Sequence, residues 1–390
     1  MNIDVEFVDI AQKKLGYTPL VLMSSWSPPA SLKASGQLNG SNIDPGTTDV
    51  LKKDANGNFV YEEFAKHWVD SLNSYASKGL HVDYYSPQNE PDYSSGGYPT
   101  CVFGALETRN VPGFYRATEF IFSAVQGSVR NPPAMVGPEC TAIDKYIPEF
   151  PFGGGGRFAA VANHLYGSGT FGAAAFDPYS FSPAMVRAKD FALRKGIQNL
   201  WMTEFAKLSA FEYQDPLRLA IIMHNAFTLG DMSVYLHWDG AWGLPDSGPP
   251  TEGTLVLVDN PFKDRSQWKN PRGYQILHTF WWFKHFTRFV RPTYRRVQCD
   301  LAGLTNVLVS AWTGPNGEFS IIMINTGTVQ TSITLLSIPA WIPNQITDRY
   351  YSTLDVGFTY VGRFHGNRTV NSSAVNHEPV LVPSLDYQIC

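Results

Sequence analysis

Val82-Asp83-Tyr84-Tyr85-Ser86-Pro87-Gln88-Asn89-Glu90-Pro91 is a short apolar run that breaks off in a polar cluster. Pro91, which has no N–H to donate, stops further pairing. The segment reads as a strand whose carboxyl end delivers a carboxylate. The same grammar returns at Leu200-Trp201-Met202-Thr203-Glu204-Phe205. Working outward, six short runs rich in Val, Leu, Met or Tyr and bounded by Gly, Pro or Asn read as strands: residues 19–24, 82–87, 134–137, 159–164, 199–203 and 233–236. Amphipathic stretches fill the gaps. In residues 61–78, Phe64, Trp68, Leu72 and Tyr75 recur at three- and four-residue steps, and residues 216–227 do the same. Residues 274–289 read as a last helix. Strands alternating with helices predict a parallel sheet wrapped by helices, a (β/α) barrel whose active-site face is the carboxyl end of its strands.

After about Arg291 the pattern changes to short alternating segments with Gly, Asn and Pro turns, at residues 294–298, 307–312, 319–324, 331–335, 358–363 and 381–387. That pattern predicts an antiparallel β-sandwich. The expected division is a barrel over residues 1–288 and a β-sandwich side domain over 289–390. The glycine run 153–156 reads as a flexible turn and not a phosphate loop, because no Lys-Ser or Lys-Thr follows it.

The 390 residues can hold one large domain, or a barrel with a smaller domain attached. Net charge is -4, which gives no basic field for nucleic acid or an anionic membrane, and no apolar run reaches the length of a membrane span. Only 16% of residues are charged while 14% are aromatic, with 10 Trp and 19 Tyr, so something uses rings. Cys101, Cys140, Cys299 and Cys390 lack the close pairing of zinc or redox motifs, and their spacing leaves buried thiols and disulfides equally open. Residues 1–9 are acidic and have no apolar core followed by small residues, so no signal peptide is read there.

Two glutamates at two strand ends can face each other. Glycoside hydrolysis needs such a pair, one to protonate the leaving oxygen and one to act on the anomeric carbon, with the carboxyl groups roughly 5–5.5 Å apart when configuration is retained. A strand-end glutamate more often caps a helix or forms a surface ion pair, and the Asn-Glu-Pro context weighs against that here. Sugar rings present apolar faces that stack on indoles and phenols, which gives Trp26, Tyr93, Trp238 and Trp242, all just after expected strands, a candidate purpose as platforms. Trp281 and Trp282 fall inside a helix and read as packing.

Gln88-Asn89-Glu90-Pro91-Asp92-Tyr93, Trp26-Ser27-Pro28-Pro29-Ala30-Ser31-Leu32-Lys33 and Trp201-Met202-Thr203-Glu204 resemble glycoside hydrolase family 30. Asn260-Pro261, residues 268–273, Phe283-Lys284-His285-Phe286 and Phe289-Val290-Arg291-Pro292 are similar to that family's passage from barrel to side domain. The resemblance implies a retaining (β/α)8 enzyme with Glu90 as acid/base and Glu204 as nucleophile. It further implies that Asn89 binds the sugar 2-hydroxyl and that Tyr166, beside His164, orients Glu204 and keeps it ionised. Glu139 is expected at the same face as a supporting or substrate-contacting group, and His164 as a substrate contact. Glu90 should have a raised pKa. No metal or organic cofactor is implied, and a secreted, monomeric enzyme acting on polysaccharide is.

Relative to the family, the motif on Trp26 belongs to the third barrel strand, so about six strands are expected here in place of eight. Xylan is the favoured substrate, attacked internally or from a chain end. A β-1,6-glucanase, a glucosylceramidase and a catalytically impaired sugar-binding protein are the alternatives. Bacterial glucuronate-requiring members carry a Tyr-Ile-Arg-Arg-like loop where this chain has Leu236-His237-Trp238-Asp239-Gly240-Ala241-Trp242.

Overall fold

The computed structural model describes residues 3–40, 48–151, 156–170, 176–206, 215–244, 253–260, 263–299, 301–328, 331–334, 346–353, 357–365, 369–371 and 381–386. Gly153–Gly155, Pro261 and Cys390 lie outside them. The chain divides into two compact units.

The first unit comprises residues 1–169, 183–204 and 229–236. After helix α1 (Ile3–Leu15) it holds six strands: β1 (Leu22–Ser24), β2 (Tyr84–Ser86), β3 (Ala134–Pro138), β4 (Phe158–His164), β5 (Leu200–Glu204) and β6 (Val234–Tyr235). They form one sheet in sequence order, every neighbouring pair parallel. The six expected strands are all present, some shorter than read. The sheet curls. Tyr84 on β2 and Trp201 on β5 are three strand spacings apart, roughly 14 Å in a flat sheet, yet their rings meet edge-on at 4.7 Å. Both pack with Leu22 on Val136, Ala160 and Ala162, small side chains that leave room inside the curl. The sheet is half of a barrel, with β1 and β6 at its edges among the described residues.

Helix α2 (Tyr61–Ser77) buries Phe64, Ala65, Trp68 and Leu72, a single stripe, and places Glu62 and Glu63 in its first turn, where the helix dipole favours acids. Trp68 meets the Tyr85 ring at 5.3 Å and donates its indole N–H to the Pro87 carbonyl at 3.2 Å, which ties the helix to the strand end that leads to Glu90. Helix α3 (Phe114–Ser128) packs along α2, with Phe120 stacked on Tyr61 at 5.4 Å. Helix α4 (Ser182–Arg194) precedes β5. Cys101 and Cys140 are buried thiols, and burial pushes the pKa of both upward.

The second unit takes in residues 170–182, 205–228 and 237–390. Its helix α5 (Asp215–Thr228) is buried along nearly its whole length. A three-stranded sheet pairs β7 (Ala241–Gly243) with β8 (Val256–Val258) in parallel, and β8 with β9 (Tyr274–Ile276) antiparallel. β9 corrects the expected helix over 274–289. Tyr-Gln-Ile pairs as a strand, Leu277 keeps extended dihedrals, and helix α6 (His278–Phe289) starts only afterwards. Trp282 is packed in the core, as its place in a helix suggests.

The expected antiparallel region contains β10 (Arg295–Val297), β11 (Val307–Thr313), β12 (Phe319–Asn325), β13 (Ser332–Thr334), β14 (Ile346–Tyr351), β15 (Thr359–His365), β16 (Thr369–Asn371) and β17 (Leu381–Asp386). Six of these form one sheet in the order β10-β11-β12-β17-β14-β15, and β13 pairs with β16. β14, β16 and the β7-β8-β9 sheet were not read from the sequence. Trp312 on β11 meets Phe227 of α5 and Phe286 of α6 at 6.2 and 6.3 Å, the aromatic centre of this unit.

In the first unit Lys33 and Asp49 form an ion pair at 2.7 Å with 0% and 1% of their side chains exposed. Lys33 Nζ also donates to the Leu38 and Thr100 carbonyls at 2.7 and 2.5 Å, and Asp49 accepts from Ser94 and Thr100. Removing one partner strands the other charge in the interior. Lys33→Ala should lower unfolding stability by about 3–5 kcal/mol, read as a shift in the urea midpoint, and adding Asp49→Ala should restore part of the loss.

Candidate active site

Three parallel strands end in glutamates or just before them. Glu90 follows β2, Glu139 follows β3, and Glu204 closes β5. Glu90 and Glu139 both adopt left-handed backbone angles, φ 44° and 64°, a conformation that costs non-glycine residues free energy and tends to persist where function requires it. Hydrogen bonds hold them there. Glu90 N–H donates to the Glu139 carbonyl at 2.9 Å, and Glu139 N–H to the Ala162 carbonyl at 2.6 Å. Asn89 N–H donates to the Ser25 carbonyl at 2.7 Å, and the Gln88 amide donates to the Trp26 and Asn89 carbonyls. The polar cluster after β2 is thus a braced turn with Asn89 and Glu90 almost fully buried.

His164, at the end of β4, has no exposed side-chain surface and lies amid the three acids. Its Nδ1 is 3.2 Å from Glu90 Oε1 and 3.9 Å from Glu204 Oε1, and its Nε2 is 3.6 Å from Glu139 Oε2. Burial alone would strip its proton, but the carboxylates of Glu139 and Glu90 and the charge of Glu204 outweigh it and carry the imidazole to about 10. It is an imidazolium at neutral pH. One atom each of Glu90, His164 and Glu204 lie within 4.8 Å of one another. A cation could bridge them only after His164 gave up its proton, because metals bind neutral imidazole.

Glu204 is itself lifted to about 7, first by burial and further by Glu90 and Glu139, with His164 and Tyr166 opposing. Tyr166 donates to Glu204 Oε1 at 3.1 Å, as expected of it. The phenol favours the charged form without overcoming burial, so the expectation that it keeps Glu204 ionised is corrected. Burial is what lifts Glu204, a shift the sequence did not point to. His164 has no exposed surface, which departs from the substrate contact expected of it, whereas Glu139, 3% exposed, fits the supporting alternative that the sequence left open.

The aromatic wall has a member the sequence reading missed. Tyr98 donates to Glu90 Oε2 at 3.3 Å, meets Trp26 edge-on at 5.5 Å and stacks on Tyr93 at 6.5 Å. Its signal was a lone ring in Gly96-Gly97-Tyr98-Pro99, eight residues past Glu90. Trp26, Tyr93, Asn89, Glu90, Glu139, His164, Tyr166 and Glu204 therefore fall in one unit. Trp238 and Trp242 belong to the other, Trp242 lying within β7 with 43% of its surface exposed. Thr203, whose hydroxyl donates to Glu139 Oε1, was also missed.

No family model matches the chain. The glucuronoxylanase XynC of Bacillus subtilis is 24% identical over 350 residues, covering 86% of this chain and 68% of that protein. The endo-1,6-β-D-glucanase neg1 of Aspergillus fumigatus is 38% identical over 82 residues, 20% of this chain and 17% of its own. In fold, the chain is similar to the glycoside hydrolase family 30 subfamily 8 xylanase Xyn30A from Clostridium acetobutylicum, with TM-score 0.69 and 20% identity over 98% of this chain and 84% of that one.

The Tyr166–Glu204 bond makes a signed prediction. A nucleophilic carboxylate must be ionised, so the acid limb of kcat/KM should fall near the Glu204 value of about 7. Tyr166→Phe removes a donor to the charged form and raises that pKa. The limb should move to higher pH by roughly half to one unit, measured as a pH–rate profile on a soluble glycoside.

Proposed function

We propose that this chain is a xylanase-like glycoside hydrolase of family 30, similar along most of its length to a glucuronoxylanase and in fold to a family 30 xylanase, and that it cleaves β-1,4-xylan with retention of configuration. The observation that carries this reading is the pair of glutamates just after β2 and at the end of β5, one buried and one partly buried, with one oxygen of each within 4.8 Å of the other. That proximity suits a nucleophile and an acid/base on one bond and leaves too little room for the interposed water of an inverting enzyme.

In the first step Glu90 gives its proton to the leaving glycosidic oxygen as the bond to the anomeric carbon breaks. A Glu204 oxygen bonds to that carbon in its place. In the second, Glu90 takes a proton from water, the water oxygen attacks the same carbon, and Glu204 leaves as a carboxylate. Asn89 is read as the donor to the sugar 2-hydroxyl, and Trp26, Tyr93 and Tyr98 as stacking surfaces for neighbouring sugars. Residues 236–242 contain no Lys or Arg, which favours action on undecorated xylan over a strict need for glucuronate. A polymer substrate places the enzyme's work outside the cell, where a monomer suffices.

β-1,6-Glucan is the second reading, favoured by the 38% identity to a fungal β-1,6-glucanase over 82 residues. Following reducing ends released from xylan, linear xylo-oligosaccharides, β-1,6-glucan and glucosylceramide in detergent decides between them. Xylan should be cleaved fastest, and Glu204→Ala should abolish cleavage. Release of the α-anomer first, seen by proton NMR, would overturn retention. Glu90→Ala should slow xylan cleavage by about 10²–10⁴-fold and an activated aryl xyloside far less, because a good leaving group needs no proton.

A further inference from the structure

We propose that Glu139 is a positioning residue: clamped by Thr203 at Oε1, it anchors His164 Nε2 through Oε2 and so aims Nδ1–H at the gap between Glu90 and Glu204. The proposal rests on the reading of those two glutamates as the reacting pair. It assigns Glu139 a part that neither the sugar nor the bond being broken touches.

Glu139 is built into its place from several sides. Its backbone is held in a left-handed turn by the bond to Ala162, and its own carbonyl receives the Glu90 N–H. Its Oε1 is taken by the Thr203 hydroxyl, which leaves Oε2 to pair with the charge of His164 Nε2 across 3.6 Å, an ion pair longer than a hydrogen bond. The next residue is tied to the histidine strand twice: His164 N–H donates to the Cys140 carbonyl at 2.8 Å, and Cys140 N–H to Asn163 Oδ1 at 2.8 Å. The Asn163 amide in turn donates to the Ile143 and Lys145 carbonyls. Both carboxylate oxygens of Glu139, 3% exposed, thus face protein partners, Thr203 and His164.

Negative charge moves during the reaction, and a held donor fits that movement. Before bond cleavage the charge sits on Glu204. In the glycosyl-enzyme it sits on Glu90, because Glu204 has become an ester and Glu90 has lost its proton. His164 Nδ1, 3.2 Å from one and 3.9 Å from the other, favours both end points. It needs Nε2 fixed for that, and Glu139 is the carboxylate that fixes it. The other groups facing the imidazole are Glu90 and Glu204 themselves and the ring of Tyr166; the Cys140 thiol beside Glu139 stays neutral because burial pushes its pKa well up.

The test combines a titration and a rate profile. In protein labelled with nitrogen-15 histidine, made inactive by Glu204→Ala, the His164 signal is identified by its loss in His164→Gln. Adding Glu139→Gln should lower its titration midpoint by about one pH unit or more, a tenfold change in the protonation equilibrium, and Glu139→Asp should recover part of it. In the otherwise native enzyme, Glu139→Gln should pull the alkaline limb of kcat to lower pH and leave KM within about twofold. Thr203→Val, which removes only the hydroxyl that clamps Glu139, should move the titration the same way by less, and it serves alone if Glu139→Gln fails to fold. An unmoved His164 titration overturns the proposal, as does a raised KM with kcat intact, which would make Glu139 a substrate contact. An inactive native enzyme would refute the proposed reaction instead, and the titration would still decide the role of Glu139.

Discussion

The site depends on one imidazolium held among three carboxylates. Without His164, the acids after β2 and β3 and at the end of β5 would crowd like charges into a largely buried space, and mutual repulsion would force protons onto them. With it, the cluster carries less net negative charge and Glu204 is held near neutrality. Burial is the dominant cost throughout. It raises Glu204, it works against the charge of His164, and it is offset only because partners stand within a few ångströms.

The sheet makes this possible. Parallel strands in sequence order bring their carboxyl ends to one rim, so residues 90, 139, 164 and 204, far apart along the chain, become neighbours. Curling the sheet then turns the rim inward, and the contact of Tyr84 with Trp201 across three strand spacings records how far it curls. Small residues at 160 and 162 leave room for those two rings. The fold thus supplies proximity, and the braced turns after β2 and β3 supply orientation.

Much of this was legible in the sequence for a physical reason. A strand that must be buried on both faces is written as a compact apolar run, and a polar cluster with a proline after it marks where that run must stop. Glu90 and Glu204 were readable because they sit at such stops, and Asn89 and Tyr166 through the family resemblance that those stops carry. Tyr98 and Thr203 were not, since each acts through a contact made across the fold and neither disturbs the local pattern. The part of His164 was hidden likewise: a histidine at a strand end looks the same whether it faces solvent, sugar or three acids. β7, β8 and β9 escaped because three-residue strands lie below the length at which alternation can be recognised, and Tyr274–Ile276 merged into the helical pattern that follows it.

The buried Lys33–Asp49 pair bears on temperature. Through Ser94 and Thr100 it grips both ends of the segment that presents Tyr98 beside Glu90. The hydration lost by buried ions becomes less costly on warming, while the gain from apolar burial levels off. A loop fastened by charge is therefore held comparatively better in a warm medium than one fastened by grease alone.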